Sequence, residues 1–314
     1  MLTRREFSVT AAAAAAPGLS AKERVDRALR GQDVDRSPFT FWHHFGLQKL
    51  PGERHARATL EFHRKFRTDL VKVMSDFPFP RSKGPWYGLK VEASPYPEQI
   101  RALEIIRDGL AGQAYFIETI FNPFNVAGKL SSKEEVQRLK VEKPQALLDA
   151  LEVIARSEAN HARRAIATGA AGIFLAIDNA QQGVLSPDDY ARFSEPFDKM
   201  ILEAVRDAPL NTLHLHGDKV YLERFYQGWP AAVINYSAHT TEVSVGEVRR
   251  RYSGVLMCGL DEVNFRTLSE SELKRQWHAA RQAAGELFIL APGCSVPDQS
   301  TDEELLRLPG LLGA

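Results

Sequence analysis

The chain has 314 residues, 40 basic and 40 acidic side chains, 44% hydrophobic and 25% charged residues, a composition within the range of globular proteins. The cancelling charge supplies neither the basic footprint of a nucleic-acid binder nor a polybasic membrane patch. Two cysteines, Cys258 and Cys294, exclude a disulfide scaffold and leave one bridge between them open.

At the amino terminus, Arg4-Arg5 precedes six alanines, Ala11 to Ala16, and then Pro17-Gly18. Paired arginines before a weakly apolar stretch read as a twin-arginine export signal over residues 1–21, with a periplasmic or otherwise exported location. The stretch is too short to hold a stable membrane span. Residues 22–314 read as one domain.

From Lys22 onward, short β-rich runs alternate with longer helical ones. Lys22 to Gly31 is helical and stops at a glycine, and Phe39 to His44 is the first strand. A helix near Ala58 to Arg67 leads to the strand Leu70 to Asp76. After a Pro- and Gly-containing loop come a helix near Glu98 to Asp108 and a strand, Gln113 to Phe121. Ser131 with Glu134 forms a capping-box pattern, opening helical sequence to Ala167 that breaks at Pro144. The strand Ala171 to Asp178 follows, then Ser186-Pro187-Asp188-Asp189 starts a helix reaching about Asp207. Strands follow at Leu213 to His216, Ala231 to Ser237, Val255 to Asp261 and Leu287 to Leu290. Ser244 with Glu247, Ser269 with Glu272 and Thr301 with Glu304 open the helices between and after them. Eight strands, each followed by helix, imply an α/β fold with a single closed (β/α)8 TIM barrel. No nucleotide-binding glycine fingerprint supports an open doubly wound sheet.

Barrel chemistry sits at the carboxyl ends of strands. His43, His44, Asp76, Glu118, Asp178, His214, His216, Asp218, His239 and Cys294 all fall there. His214 and His216 lie two apart on a strand and so share a face, an arrangement that suits a metal ion with Cys294 as third ligand. The same three residues also fit a half-buried polar face and a small buried thiol, and both readings stand at this level. Asn179, Asn235 and Asp261 read as helix caps. His55, His63, His161 and His278 read as solvated.

Arg24 to Gly31, Arg36-Ser37-Pro38, the Asp76 strand end, Ile177-Asp178, Gly183 to Pro187 with Tyr190, the His214 segment and Pro292-Gly293-Cys294 together resemble the uroporphyrinogen decarboxylase superfamily over essentially Lys22 to Ala314. The resemblance implies a (β/α)8 barrel enzyme, often a homodimer. One branch removes acetate carboxylates from a tetrapyrrole without a cofactor, through an aspartate at the place of Asp76. The cationic clamps such a substrate needs are missing here, since no arginine follows Phe41 before Arg54. The other branch comprises zinc methyltransferases that carry methyl groups between corrinoid proteins and a thiol. They bind zinc through His-x-Cys and a distant cysteine; His214 and Cys294 match, with His216 replacing the nearer cysteine. The resemblance thus implies a zinc-dependent, methyltransferase-like activity on a small molecule, a tetrapyrrole or methylated compound. Asp76, Asp178 and Glu118 would serve catalysis, and His43, His44, Asp218 and His239 would bind substrate. The alternatives are a cofactor-free porphyrinogen decarboxylase and a non-catalytic barrel that binds a tetrapyrrole or corrinoid.

Overall fold

A computed structural model describes residues 18–47 and 50–314; most of the export-signal reading lies outside them. The four signal residues that are described already belong to the fold. Ser20 caps helix α1 (Ala21–Leu29) in a capping box with Glu23, and the Leu19 N–H donates to Asp35.

Helix α2 (Gly52–Phe66) leads to strand β1 (Leu70–Val73), and α3 (Pro97–Leu110) to β2 (Tyr115–Phe121). Helices α4 (Pro123–Leu130), α5 (Lys133–Glu142) and α6 (Pro144–Thr168) separate β2 from β3 (Ile173–Ile177). Then come α7 (Pro187–Phe193), α8 (Glu195–Glu203), β4 (Thr212–Leu215), a 3-10 turn (Leu222–Phe225) and β5 (Val233–Tyr236). The chain ends with α9 (Val245–Arg251), β6 (Val255–Leu260), α10 (Glu270–Ala284), β7 (Phe288–Pro292) and α11 (Asp302–Leu312). Capping boxes open α9, α10 and α11 as expected. The cap of α5 is Ser132 with Glu135, one residue beyond the expected Ser131 and Glu134. Asn122-Pro123 starts a helix that the sequence reading passed over, although asparagine before proline is a helix-start signal.

Seven strands form one parallel sheet in chain order. The expected first strand, Phe39 to His44, is reduced to a single parallel bridge between Phe39 and Leu290, so eight full strands are not observed. Its backbone still spans the gap between the first and last strands. Thr40 N–H donates to Leu290 O, Leu290 N–H to Pro38 O, and Asp69 N–H to Phe39 O. Beyond Thr40 the ladder is not continuous, although Trp42 O still accepts the Val296 N–H and its ring packs on Phe174.

Alternation along the strands sorts side chains between two apolar layers. Leu70 and Met74 of the first strand region, Phe174, Met257, Ile289 and Trp42 pack together on the inner face. Val71, Val73 and Phe116 pack against α2 and α3 on the outer face. At the amino ends of the strands, Arg24 donates to Asp35 (2.7 Å) and to Asp69 (2.5 Å), and Arg36 also reaches Asp69 (2.5 Å). Asp69 in turn accepts the Phe39 N–H. The early arginines therefore anchor the segment that meets both edges of the sheet. Both cysteines are free; Cys294 is half-buried, whereas Cys258 is buried in the main core cluster with Phe288 and Leu290, and no disulfide forms.

Candidate metal centre and the cavities beside it

His214 lies on β4 level with Ala176 on one side and Asn235 on the other. Its Nδ1 meets Asn235 Oδ1 at 2.6 Å. The Asn235 amide nitrogen donates to Met257 O (2.7 Å) and Pro292 O (2.9 Å), which leaves Oδ1 as an acceptor for the ring. His214 therefore carries its proton on Nδ1, and Nε2 keeps a free lone pair. Phe174 stacks on the imidazole at 4.8 Å, with Trp42 edge-on at 6.4 Å.

His216 follows just past the strand, its N–H bonded to Ile177 O. Gly217 makes the turn after it at φ 130°, a conformation that favours glycine, and a Cβ there would have to push aside the Gln181 amide. Cys294 arrives from the end of β7. A Cβ on Gly293 would lie 2.2 Å from Ser237 Cα, so only glycine lets that turn close against β5. Glu262 fixes the turn by accepting the Gly293 N–H at 3.0 Å. One ligand atom from each of His214, His216 and Cys294 lies within 4.8 Å of the others. Burial pushes the Cys294 thiol up, but the two imidazoles beside it outweigh burial and bring it down to about 4. His216 is raised by the same contact with Cys294, against the effect of burial.

Two nitrogens and a sulfur in this arrangement fit zinc. Tetrahedral ligands at about 2.0–2.3 Å from the ion sit about 3.3–3.8 Å apart, a small contraction from the geometry observed. A hydrogen-bonded partner fixing the far nitrogen of a ligating histidine is likewise the usual support of such sites, and Asn235 supplies it.

Two cavities open at this end of the sheet. One, of about 530 Å³, is lined by His216, Asp218, Ser237, Glu262, Cys294 and Asp298. The other, of about 440 Å³, lies by the ends of β1 and β2 and is lined by His44, Asp76, Phe79, Tyr96, Lys129 and Glu158 among others. His44 links them: its N–H donates to Asp298 and its ring meets Asp76 at 3.2 Å. Asp178 is held by the Asn125 amide at 2.6 Å, and its charge helps raise His216.

Other residues expected at the site stand elsewhere. Glu118 is fully buried toward the helices, bonded to His161 (2.8 Å) and Gln99 (2.9 Å), and lines neither cavity. His43 packs on Phe45 and Phe62. His239 meets Gly259 O at 3.2 Å. His161 and His55, expected in solvent, are buried.

The sequence reading missed Asn235, Glu158, Glu262 and Lys72. Lys72 is 8% exposed, and its ammonium donates to Met74 Sδ at 2.7 Å. It lies over the rings of Trp42 (5.0 Å) and Phe174 (4.8 Å), the two rings that pack on His214. Among the described residues no carboxylate pairs with it. Burial brings the ammonium down to about 7, although Cys294, Asp76 and Glu118 pull the other way.

A curled parallel sheet with its polar cluster and cavities at the carboxyl ends of the strands defines the β/α class of enzyme scaffolds, which work from that face. Within that class, the chain belongs to the uroporphyrinogen decarboxylase (URO-D) family, whose profile matches residues 88–308. The matched span excludes Asp76 and the early arginines. A curated uroporphyrinogen decarboxylase from Carboxydothermus hydrogenoformans is 29% identical over 124 residues, 38% of this chain and 35% of that protein. The alignment thus spans about a third of that relative's length. In fold, the chain is similar to a methyltransferase from Methanosarcina mazei (TM-score 0.77, 17% identity, 94% of this chain and 99% of that one). It is also similar to a B12-independent methionine synthase from Shewanella sp. W3-18-1 in complex with selenomethionine (TM-score 0.63, 12% identity, 88% and 92%). Among the described residues, no helix is long and apolar enough to cross a membrane.

Proposed function

We propose that the chain is a zinc-dependent, methyltransferase-like enzyme whose metal ligands are His214 Nε2, His216 and Cys294 Sγ. The observation that carries this reading is the convergence of three ligand atoms within 4.8 Å around a histidine whose tautomer is already set by Asn235. Zinc held by these three residues would supply Lewis acidity to activate a thiol or other nucleophile. The protein's own residues prepare that site. Asn235 keeps the His214 proton away from the metal side. Asp218 lines the same cavity and is placed to take the proton of the nucleophile. Asp178 orients the groups between the two cavities, while Asp76 and His44 face the second reactant. Glu118 supports the site at a distance, holding α6 to the sheet through His161. Residues 38–40 act as the eighth stave that completes the ring.

The structural neighbours include a methyltransferase and a methionine synthase, which supports the methyl-transfer reading over decarboxylation. So does the charge near Asp76: Arg81 and Lys129 are the only arginine or lysine side chains among those lining that cavity, few for a substrate with many carboxylates. The test is elemental analysis of the purified protein with a thiol-methylation assay. One zinc per chain is expected, lost in His216→Ala and Cys294→Ser together with activity. Protein without zinc, or activity indifferent to a chelator, refutes the reading.

A further inference from the structure

The second cavity carries two acids, Asp76 and Glu158, and two bases, Arg81 and Lys129, in its lining. Glu158 is 1% exposed. Its Oε1 accepts the Tyr96 hydroxyl at 2.6 Å, while Oε2 has no protein partner among the described residues. The Asp76 side chain is 6% exposed; His44 meets its Oδ1, and its buried Oδ2 likewise lacks a protein partner. Leaving a buried carboxylate oxygen unpaired costs about 1–3 kcal/mol, and two in one cavity ask for a ligand that donates. Burial already pushes the Glu158 carboxyl up to about 7, with His161 and the Tyr96 hydroxyl opposing. A bound positive charge relieves that burden.

The walls agree with a cation. Phe77, Phe79 and Tyr96 line the cavity, and aromatic faces attract ammonium groups. Two cations line it as well. Arg81 is exposed, whereas the Lys129 ammonium lies over the Phe121 ring and is brought down to about 8 by burial, with Asp178, Asp76 and Glu158 pulling the other way. The Arg81 guanidinium donates to Leu130 O, and neither side chain forms a salt bridge among the described residues. A simple amine leaves these cations unanswered, and a simple acid drawn inward meets Asp76.

We infer that this cavity binds a small amphoteric amine, an amino acid or N-methylated amino acid, with its ammonium against Asp76 and Glu158 and its carboxylate toward Arg81 and Lys129. The inference names the second reactant of the transfer proposed above and rests on that reading for the reaction, but not for the binding.

Calorimetric titration with three probes of matched shape tests it. N,N-dimethylglycine carries both charges, 3-methylbutanoate lacks the ammonium, and N,N-dimethylethylamine lacks the carboxylate. Saturable binding of dimethylglycine is expected, at least tenfold tighter than either of the others. Lys129→Met should weaken dimethylglycine severalfold without weakening dimethylethylamine. Glu158→Gln should weaken both. Saturation by none of the probes, equal binding of 3-methylbutanoate, or indifference to Lys129→Met overturns the inference. Zinc content measured on the same samples keeps the two proposals separate, because loss of the metal reading leaves the binding result standing and the reverse.

Discussion

Replacing Lys72 by methionine should make the protein more stable, and the gain should depend on pH. The wild-type ammonium sits in the inner layer with a thioether and two aromatic rings for company. Its fall from the ordinary 10.5 to about 7 corresponds, at about 1.4 kcal/mol per pH unit, to about 5 kcal/mol against the charged form. The two ring contacts offset about 1–3 kcal/mol of this. Methionine has nearly the same length and reach, so Lys72→Met should gain about 2–4 kcal/mol at pH 6. A base whose folded pKa is depressed binds fewer protons in the folded state between about 7 and 10.5, so wild-type stability rises with pH across that window. The advantage of the variant should accordingly shrink by pH 9.5. Guanidinium denaturation of both proteins at the two pH values measures this. A variant less stable at pH 6, or a gain equal at both pH values, would show that the ammonium has partners the burial argument leaves out.

Asn235→Ala frees the His214 ring and strips two carbonyls of their donor; zinc affinity by competition with a chromophoric chelator should fall about 10–100-fold. Unchanged affinity would mean that the ring is held by its aromatic neighbours alone. Gly293→Ala, which touches no ligand, should reduce zinc content sharply, because the new methyl must displace the β7 end from Ser237; full metal loading would refute the close approach. Asp69→Ala leaves Arg24 and Arg36 without their shared carboxylate and should cost about 3–5 kcal/mol in urea unfolding, whereas a loss under 1 kcal/mol would show that water replaces the carboxylate.

The alternation of β and α runs and the caps at Ser244, Ser269 and Thr301 were legible because each depends on local chemistry. So was the triad: period two placed His214 and His216 on one face, and the strand-end rule brought in Cys294. Asn235 was passed over because an asparagine at a strand end looks like a cap for the following helix. Its real partner lies on the neighbouring strand, and register is not written in local sequence. His161 looked like the solvated face of a helix and Glu158 drew no reading, yet that face of α6 lies against β2 and Tyr96. Lys72 was hidden by the same blindness to depth, since alternation says which face a side chain takes but not what covers it. Phe39 to His44 has the aromatic content of a strand, and only packing reveals that Trp42 leaves the ladder to cover Phe174.

The single bridge between Phe39 and Leu290 means that the last strand is joined to the amino-terminal segment by very few hydrogen bonds, between parts of the chain far apart in sequence. Cys294 rides only a few residues beyond that seam, whereas the imidazoles belong to the middle strand of the sheet. An ion gripping all three would act as a rivet, tying the last strand to the middle of the sheet. Amide exchange at Thr40 and Leu290 should therefore slow when metal is added, although neither residue touches it.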